Sequence, residues 1–233
     1  MKRWSKAKPI FFVFKLFYNE SVKKIEVLMK KFLISKCMNY IKSKTDYNDV
    51  KLKEIEYGLV GIYLTISKLI VIALIALLLG IMKETIIFLL LFNIIRSTAF
   101  GLHASKSWMC LVSSTIFFIG IPLVSINISI NIYLKLILAI LSTIYIFKYA
   151  PADTHKRPIV NKKRRKVYKI ISTIISIIYT ILIIIIDNNF ISNCLLFSLI
   201  LESFMISPII YKICKLPYNN YIKFLETHPE FSN

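Results

Sequence analysis

The chain has 233 residues, 57% of them hydrophobic, and its 31 Lys+Arg against 12 Asp+Glu give a formal charge of +19. Its mean hydropathy is +0.67, and it exceeds the roughly 45–50% apolar content of a soluble domain; this argues against an ordinary water-soluble globule and excludes intrinsic disorder. Cysteines 37, 110, 194 and 214 form no CxxC pair, so neither a zinc finger nor a disulfide framework is expected, and no metal or cofactor is called for. The basic residues flank apolar spans rather than a water-soluble surface, which argues against nucleic acid as the partner.

In chain order, Ile10–Phe17 is short, contains Lys15 and precedes no small-residue cleavage site, so it does not read as a cleaved signal. Val22, Ile25, Met29, Phe32 and Leu33 then recur at helical spacing with Lys23, Lys24, Lys30 and Lys31 between them. The spacing predicts a basic amphipathic helix. It lies either on an anionic inner leaflet or on the protein's own cytoplasmic loops. Residues 1–56 form this N-terminal region, 57–216 a membrane domain and 217–233 a cytoplasmic tail.

Four apolar segments, Ile62–Ile81, Trp108–Ile126, Val167–Ile186 and Cys194–Cys214, approach or exceed the ~18–20 residues that cross about 30 Å of hydrocarbon. Ile132–Phe147 and Ile86–Phe100 are shorter; Asn93 and Arg96 interrupt the latter. The expected fold is all-α: a polytopic integral membrane protein with about six transmembrane helices and both termini cytoplasmic, plus the amphipathic helix. Charge supports the orientation. With the termini inside, 28 of the 31 cations fall on the inner side and only Lys83 outside, as the positive-inside rule requires. Pro122 and Pro208 are expected to kink their helices. Lys68 and Glu202 lie at depths that differ by about 5–8 Å at ~1.5 Å per residue, and are expected to pair.

The stretch from Arg96 to Cys110 carries the chemistry. It joins His103 and Cys110, the residue types of a thiolate nucleophile and its base, although one Cys–His spacing is weak and both residues have structural readings. On one straight helix the two side chains stand about 10 Å apart, so joint action needs a bend. Gly101 and the Ala-Ser-Lys-Ser segment permit one. Ser107 can then cap the next helix, which puts Cys110 in its first turn, where the helix dipole and Lys106 favour a thiolate. Arg96 either holds a substrate carboxylate or snorkels to the interface. A second stretch, Tyr149 to Lys166, stiffens at Pro151 and Pro158 and carries the run Lys162, Lys163, Arg164, Arg165 and Lys166. That run suits an acidic partner or anionic lipid headgroups, or acts only as a topology determinant.

With Arg96, Gly101, His103-Ala104, Cys110, Tyr149-Ala-Pro-Ala-Asp-Thr and Arg157-Pro158 in this order, the chain resembles the accessory gene regulator protein B (AgrB) family over roughly residues 30–215. The resemblance implies a membrane cysteine endopeptidase of peptide quorum sensing, with His103 and Cys110 as the catalytic pair. Its partner would be an AgrD-like propeptide with an acidic C-terminal tail, and the chain itself would be a homodimer. The implied reaction removes the tail through an acyl-enzyme thioester and supports closure of a thiolactone or lactone ring. Arg96, Gly101, Lys106, Asp153, Lys162, Lys163, Arg164 and Arg165 would contact the substrate, Asp153 being also the candidate third member of the catalytic group. The implied location is the plasma membrane, multi-pass, with the active site at the cytoplasmic face. The family's pattern often has two glycines before the His, and Phe100 stands at the first of them. The competing class is a small-peptide transporter or exporter without covalent catalysis, whose polar groups would line a path near the midplane.

Overall fold

The computed structural model describes residues 20–102, 107–154 and 158–228. Among them the regular secondary structure is helical, with isolated bridge positions that include a parallel bridge between Phe100 and Ala152. The chain divides after Gly80 into two compact units.

The first unit holds α1 (Glu20–Lys44) and α2 (Asp49–Leu79). α1 buries Ile34 and Met38, one turn apart, and leaves Val27, Leu28, Met29, Phe32 and Leu33 exposed. These exposed apolar residues are spread around the helix rather than gathered on one face. Asn48 caps α2 by accepting the amide of Lys51 at 3.0 Å. α2 is 31 residues long, so the expected span at 62–81 is the continuation of a helix that starts in the basic region. Gly80, in the left-handed conformation at φ 69°, ends it.

The second unit holds α3 (Met82–Ala99), α4 (Ser107–Asn127), α5 (Ile132–Tyr149), α6 (Lys162–Ile185), α7 (Asn189–Met205), α8 (Pro208–Ile213) and α9 (Asn220–Thr227). Two of its helices bury small or polar residues among apolar ones and turn isoleucines outward. α5 buries Lys135, Ala139, Ser142 and Ile146, and α6 buries Ser172, Ser176, Tyr179 and Ile183. Both sets follow the 4-3-4 spacing of one helix face. Ile140, Ile144, Ile177, Ile181 and Ile184 stay exposed. Lipid supplies no hydrophobic drive for helix association, so small residues and interhelical hydrogen bonds hold such a bundle. Thr143 and Thr180 bond across α5 and α6 at 3.1 Å, and the Tyr179 hydroxyl donates to the Leu91 carbonyl at 2.7 Å. Each such bond contributes about 0.6 kcal/mol.

α7 is the central helix, packed against α3, α4, α5 and α6 and buried around most of its circumference. The expected span Cys194–Cys214 is not one helix. α7 stops at Met205, and Pro208 opens the separate α8. Proline has no N–H for a continuing ladder and holds Ser207 extended, at ψ 125°. It breaks the helix rather than kinking it. Pro122, in contrast, stays inside α4. Among the described residues, four helices are long and apolar enough to cross a membrane: α2, α4 from Met109, α5 and α6. α3 carries Lys83, Glu84 and Arg96, and α7 has 17 residues, so neither meets that standard unaided.

Candidate functional site

α3 ends in an unusual turn. Phe100 has φ 59° and Gly101 φ 104°. Three backbone bonds clasp this turn. Gly101 N–H donates to the Ala152 carbonyl at 2.7 Å, Ala152 N–H to Ala99 at 3.0 Å, and Leu102 N–H to Met205 at 2.8 Å. The segment leaving α3 is thereby fastened to the segment that follows α5 and to the end of α7. The Phe100 ring packs edge-on against Tyr168, with centroids 5.0 Å apart, which compensates a non-glycine at positive φ.

Arg96 sits one turn before this bend and turns inward. Its Nη1 donates to the Phe100 carbonyl and faces Glu202 Oε1 at 3.5 Å, and its Nη2 donates to the Leu102 carbonyl. Glu202 is fully buried. Arg96 is thus one cation in contact with it; the sequence argument had looked to Lys68. The guanidinium is a brace inside the turn, a third role beside the two the sequence left open. Gly101 is needed here for two reasons. Its φ is one that side chains rarely adopt, and a Cβ would lie 2.6 Å from Arg96 Nη1 and 2.8 Å from the Met205 carbonyl oxygen.

Cys110 is the fourth residue of α4 as described and is buried, with its Sγ 4.0 Å from Ser114 Oγ one turn on. Ser107, expected to cap this helix, is the first described residue of α4 and is itself helical. His103 and Lys106 lie outside the described residues.

Asp153 is buried, and its carboxylate ties down the C-terminal segment. Oδ1 accepts the Asn220 amide at 3.2 Å, Oδ2 accepts the Tyr221 amide at 2.7 Å, and Arg165 stands 3.7 Å away. Burial pushes this carboxyl above its usual range, against the opposing pull of those amides and of Arg165. Arg165 also stacks on the Tyr221 ring at 3.6 Å. The basic run therefore splits. Arg165 is built into the fold, while Lys162, Lys163 and Arg164 are exposed on the first turn of α6. No group of three or more His, Cys, Asp or Glu suited to a metal occurs among the described residues.

Sequence reasoning did not foresee the clasp by Ala152 and Met205 or the Arg96–Glu202 pair. The pair had a signal: one arginine near the end of a span and one carboxylate inside another, each without a local counter-charge.

Residues 34–206 match the family model AgrB, accessory gene regulator B. An AgrB-like protein of Clostridium acetobutylicum is 34% identical over 178 residues, 76% of this chain and 85% of that protein. Accessory gene regulator protein B of Staphylococcus aureus strain Newman is 37% identical over 152 residues, 64% of this chain and 80% of its own. No solved structure matches the chain.

Proposed function

The chain belongs to the accessory gene regulator B family, and on that premise we propose that it is a multi-pass plasma-membrane cysteine endopeptidase of quorum-sensing signal production. Its substrate is an AgrD-like propeptide. The Cys110 thiolate attacks the carbonyl carbon before the acidic tail, and His103 gives its proton to the leaving amine. The tail departs, and the rest of the peptide remains as a thioester on Cys110. An internal Cys or Ser of the bound peptide then attacks that thioester, closes a thiolactone or lactone ring and returns the thiolate. The first exchange turns an amide into a thioester and needs removal of the tail to proceed. The second, for a Cys nucleophile, exchanges one thioester for another. Backbone N–H groups around residues 108–110 suit the oxyanion.

The observation that carries this reading is the braced turn at Gly101. It leads directly into the segment bearing His103, and Cys110 is the fourth described residue of α4 beyond it. A dyad needs such a bend, and a rigid one, because misplacement by about 1 Å can cost 100-fold in rate. Arg96 and Glu202 serve as positioning residues. Lys106 and the exposed Lys162, Lys163 and Arg164 attract the acidic tail, while Asp153 anchors the C-terminal segment. The active site faces the cytoplasm, with both termini on that side, and the working form is a homodimer.

Propeptide cleavage in proteoliposomes, followed by intact mass spectrometry of the protein, tests the chemistry. The expected result is a released tail and an adduct of peptide-minus-tail mass on Cys110, both absent in Cys110→Ala. His103→Ala should abolish cleavage as well. Cleavage that persists in Cys110→Ala sinks the mechanism. Uptake of the intact peptide without any cleavage would favour a transporter.

A further inference from the structure

The same end of the bundle holds a basic cavity outside the candidate site. It has a volume of about 440 Å³ and lies between the end of α5 (Lys148, Tyr149), the Ala150–Pro151 bend, the first turns of α6 and Tyr218–Asn219. That volume falls within the ~300–1,000 Å³ of ordinary ligand sites. Four of its lining residues are cationic, Lys148, Arg165, Lys166 and Lys169, and none is acidic.

Three observations point to an anion. Arg165 Nη1 is buried without a hydrogen-bond acceptor, its nearest carboxylate oxygen standing 3.7 Å away. Lys148 and Lys169 lie against the rings of Tyr149 and Phe147, at 5.3 and 4.8 Å, rather than against carboxylates. The α6 N-terminus carries cations and no acid in its first turn. Cations there oppose the helix dipole, so helix stability does not account for them, whereas an anion at that end is favoured by dipole and side chains together. Tyr218, whose phenol burial pushes up to about 12, is neutral and also lines the cavity.

The surroundings narrow the class of anion. α5 and α6 are both long and apolar enough to span a membrane. On their outward faces Ile144, Phe147, Ile170 and Ile174 are exposed within one or two turns of the cavity. A soluble anion has no use for that apolar flank, and an acidic peptide tail is better met by the exposed Lys162, Lys163 and Arg164.

We propose that the cavity binds the phosphate-bearing headgroup of an anionic phospholipid, with its acyl chains along Ile144 and Phe147 of α5 and Ile170 and Ile174 of α6. Basic pockets between transmembrane helices on the cytoplasmic side are suited to such headgroups. The bound lipid braces the Ala150–Pro151 bend, two residues from the Ala152 carbonyl that holds Gly101. The site does not depend on the peptidase chemistry.

Native mass spectrometry of the full-length chain released from detergent, titrated with phosphatidylglycerol or phosphatidylcholine, tests this. The wild type should retain one phosphatidylglycerol in preference to phosphatidylcholine. Lys148→Gln/Lys166→Gln/Lys169→Gln should weaken retention about tenfold or more. Lys162→Gln/Lys163→Gln/Arg164→Gln, which removes equal charge outside the cavity, should stay within about twofold of wild type. Lys148→Arg/Lys166→Arg/Lys169→Arg should keep the lipid, which separates lost charge from lost folding. Equal loss in both Gln variants, or equal retention of the two lipids, overturns the proposal in favour of diffuse surface charge. Displacement by millimolar inorganic phosphate, or by an acidic peptide at stoichiometric amounts, overturns it in favour of a soluble anion or the substrate tail.

Discussion

Two buried polar clusters sit at opposite ends of the second unit. At one end Lys135 Nζ donates to Asn189 Oδ1 at 2.8 Å and to Ser192 Oγ at 3.1 Å, and Asn193 Nδ2 donates to the carbonyls of Ser125 and Ile128 at 3.1 and 2.7 Å. At the other, Arg96 and Glu202 brace the Phe100–Gly101 turn. Both lie in an otherwise apolar bundle, but they do different work. The first uses neutral acceptors to join the end of α4 and the starts of α5 and α7 where the backbone is regular. The second uses a charge pair and three backbone bonds to hold positive-φ residues. Strained backbone costs about 1–3 kcal/mol per residue and persists only where its surroundings over-determine it. Burial is common to both ends; strain and redundant restraint occur at the Gly101 end.

Substitutions can break or sharpen this contrast. The largest effect is expected from Gly101→Ala, because the new Cβ meets Arg96 Nη1 and the Met205 carbonyl. Propeptide cleavage should fall about 100-fold or more, a transition-state loss of about 3 kcal/mol. Unchanged cleavage in proteoliposomes would show that the turn positions nothing. Glu202→Gln keeps a hydrogen-bond partner for Arg96 but removes the charge. Its kcat should drop about tenfold with little change in KM, as expected for a positioning residue. A change in KM alone would place the pair in substrate binding instead.

The opposite cluster should behave in reverse. Asn193→Ala removes two bonds to carbonyls and should lower stability by about 1–3 kcal/mol, read as a fall in Tm in detergent. Cleavage measured well below Tm should stay within about twofold; a tenfold loss would mean that the two ends are coupled. Phe100→Gly is the smallest perturbation. Relief at φ 59° offsets the lost contact with Tyr168, so Tm should shift by the equivalent of about 1 kcal/mol or less, with cleavage retained. A large loss would make the ring itself part of the site.

Much of this was legible in the residues themselves. The bend at Gly101 followed from the impossibility of joining His103 and Cys110 on one straight helix, and the backbone turns there. Cys110 near the described start of α4 was legible too, although Ser107 is helical rather than a cap. Pro208 misled because its two effects, a lost N–H and an extended preceding residue, can bend a helix or end it. With Ser207 extended, it ended.

The sequence by itself determined the helical class, three of the four spans long enough for lipid and the concentration of positive charge in particular stretches. These are one-dimensional properties, set by periodicity and by the energy of moving side chains from water to hydrocarbon. Only the tertiary structure decided which buried charges meet. Arg96 and Glu202 are 106 residues apart and become neighbours because α7 is packed centrally against α3. The Asp153 carboxylate, a candidate third catalytic group in the sequence, meets the start of α9 through the Asn220 and Tyr221 amides. A buried charge must find its partner among whichever helices surround it, and that choice belongs to the packing.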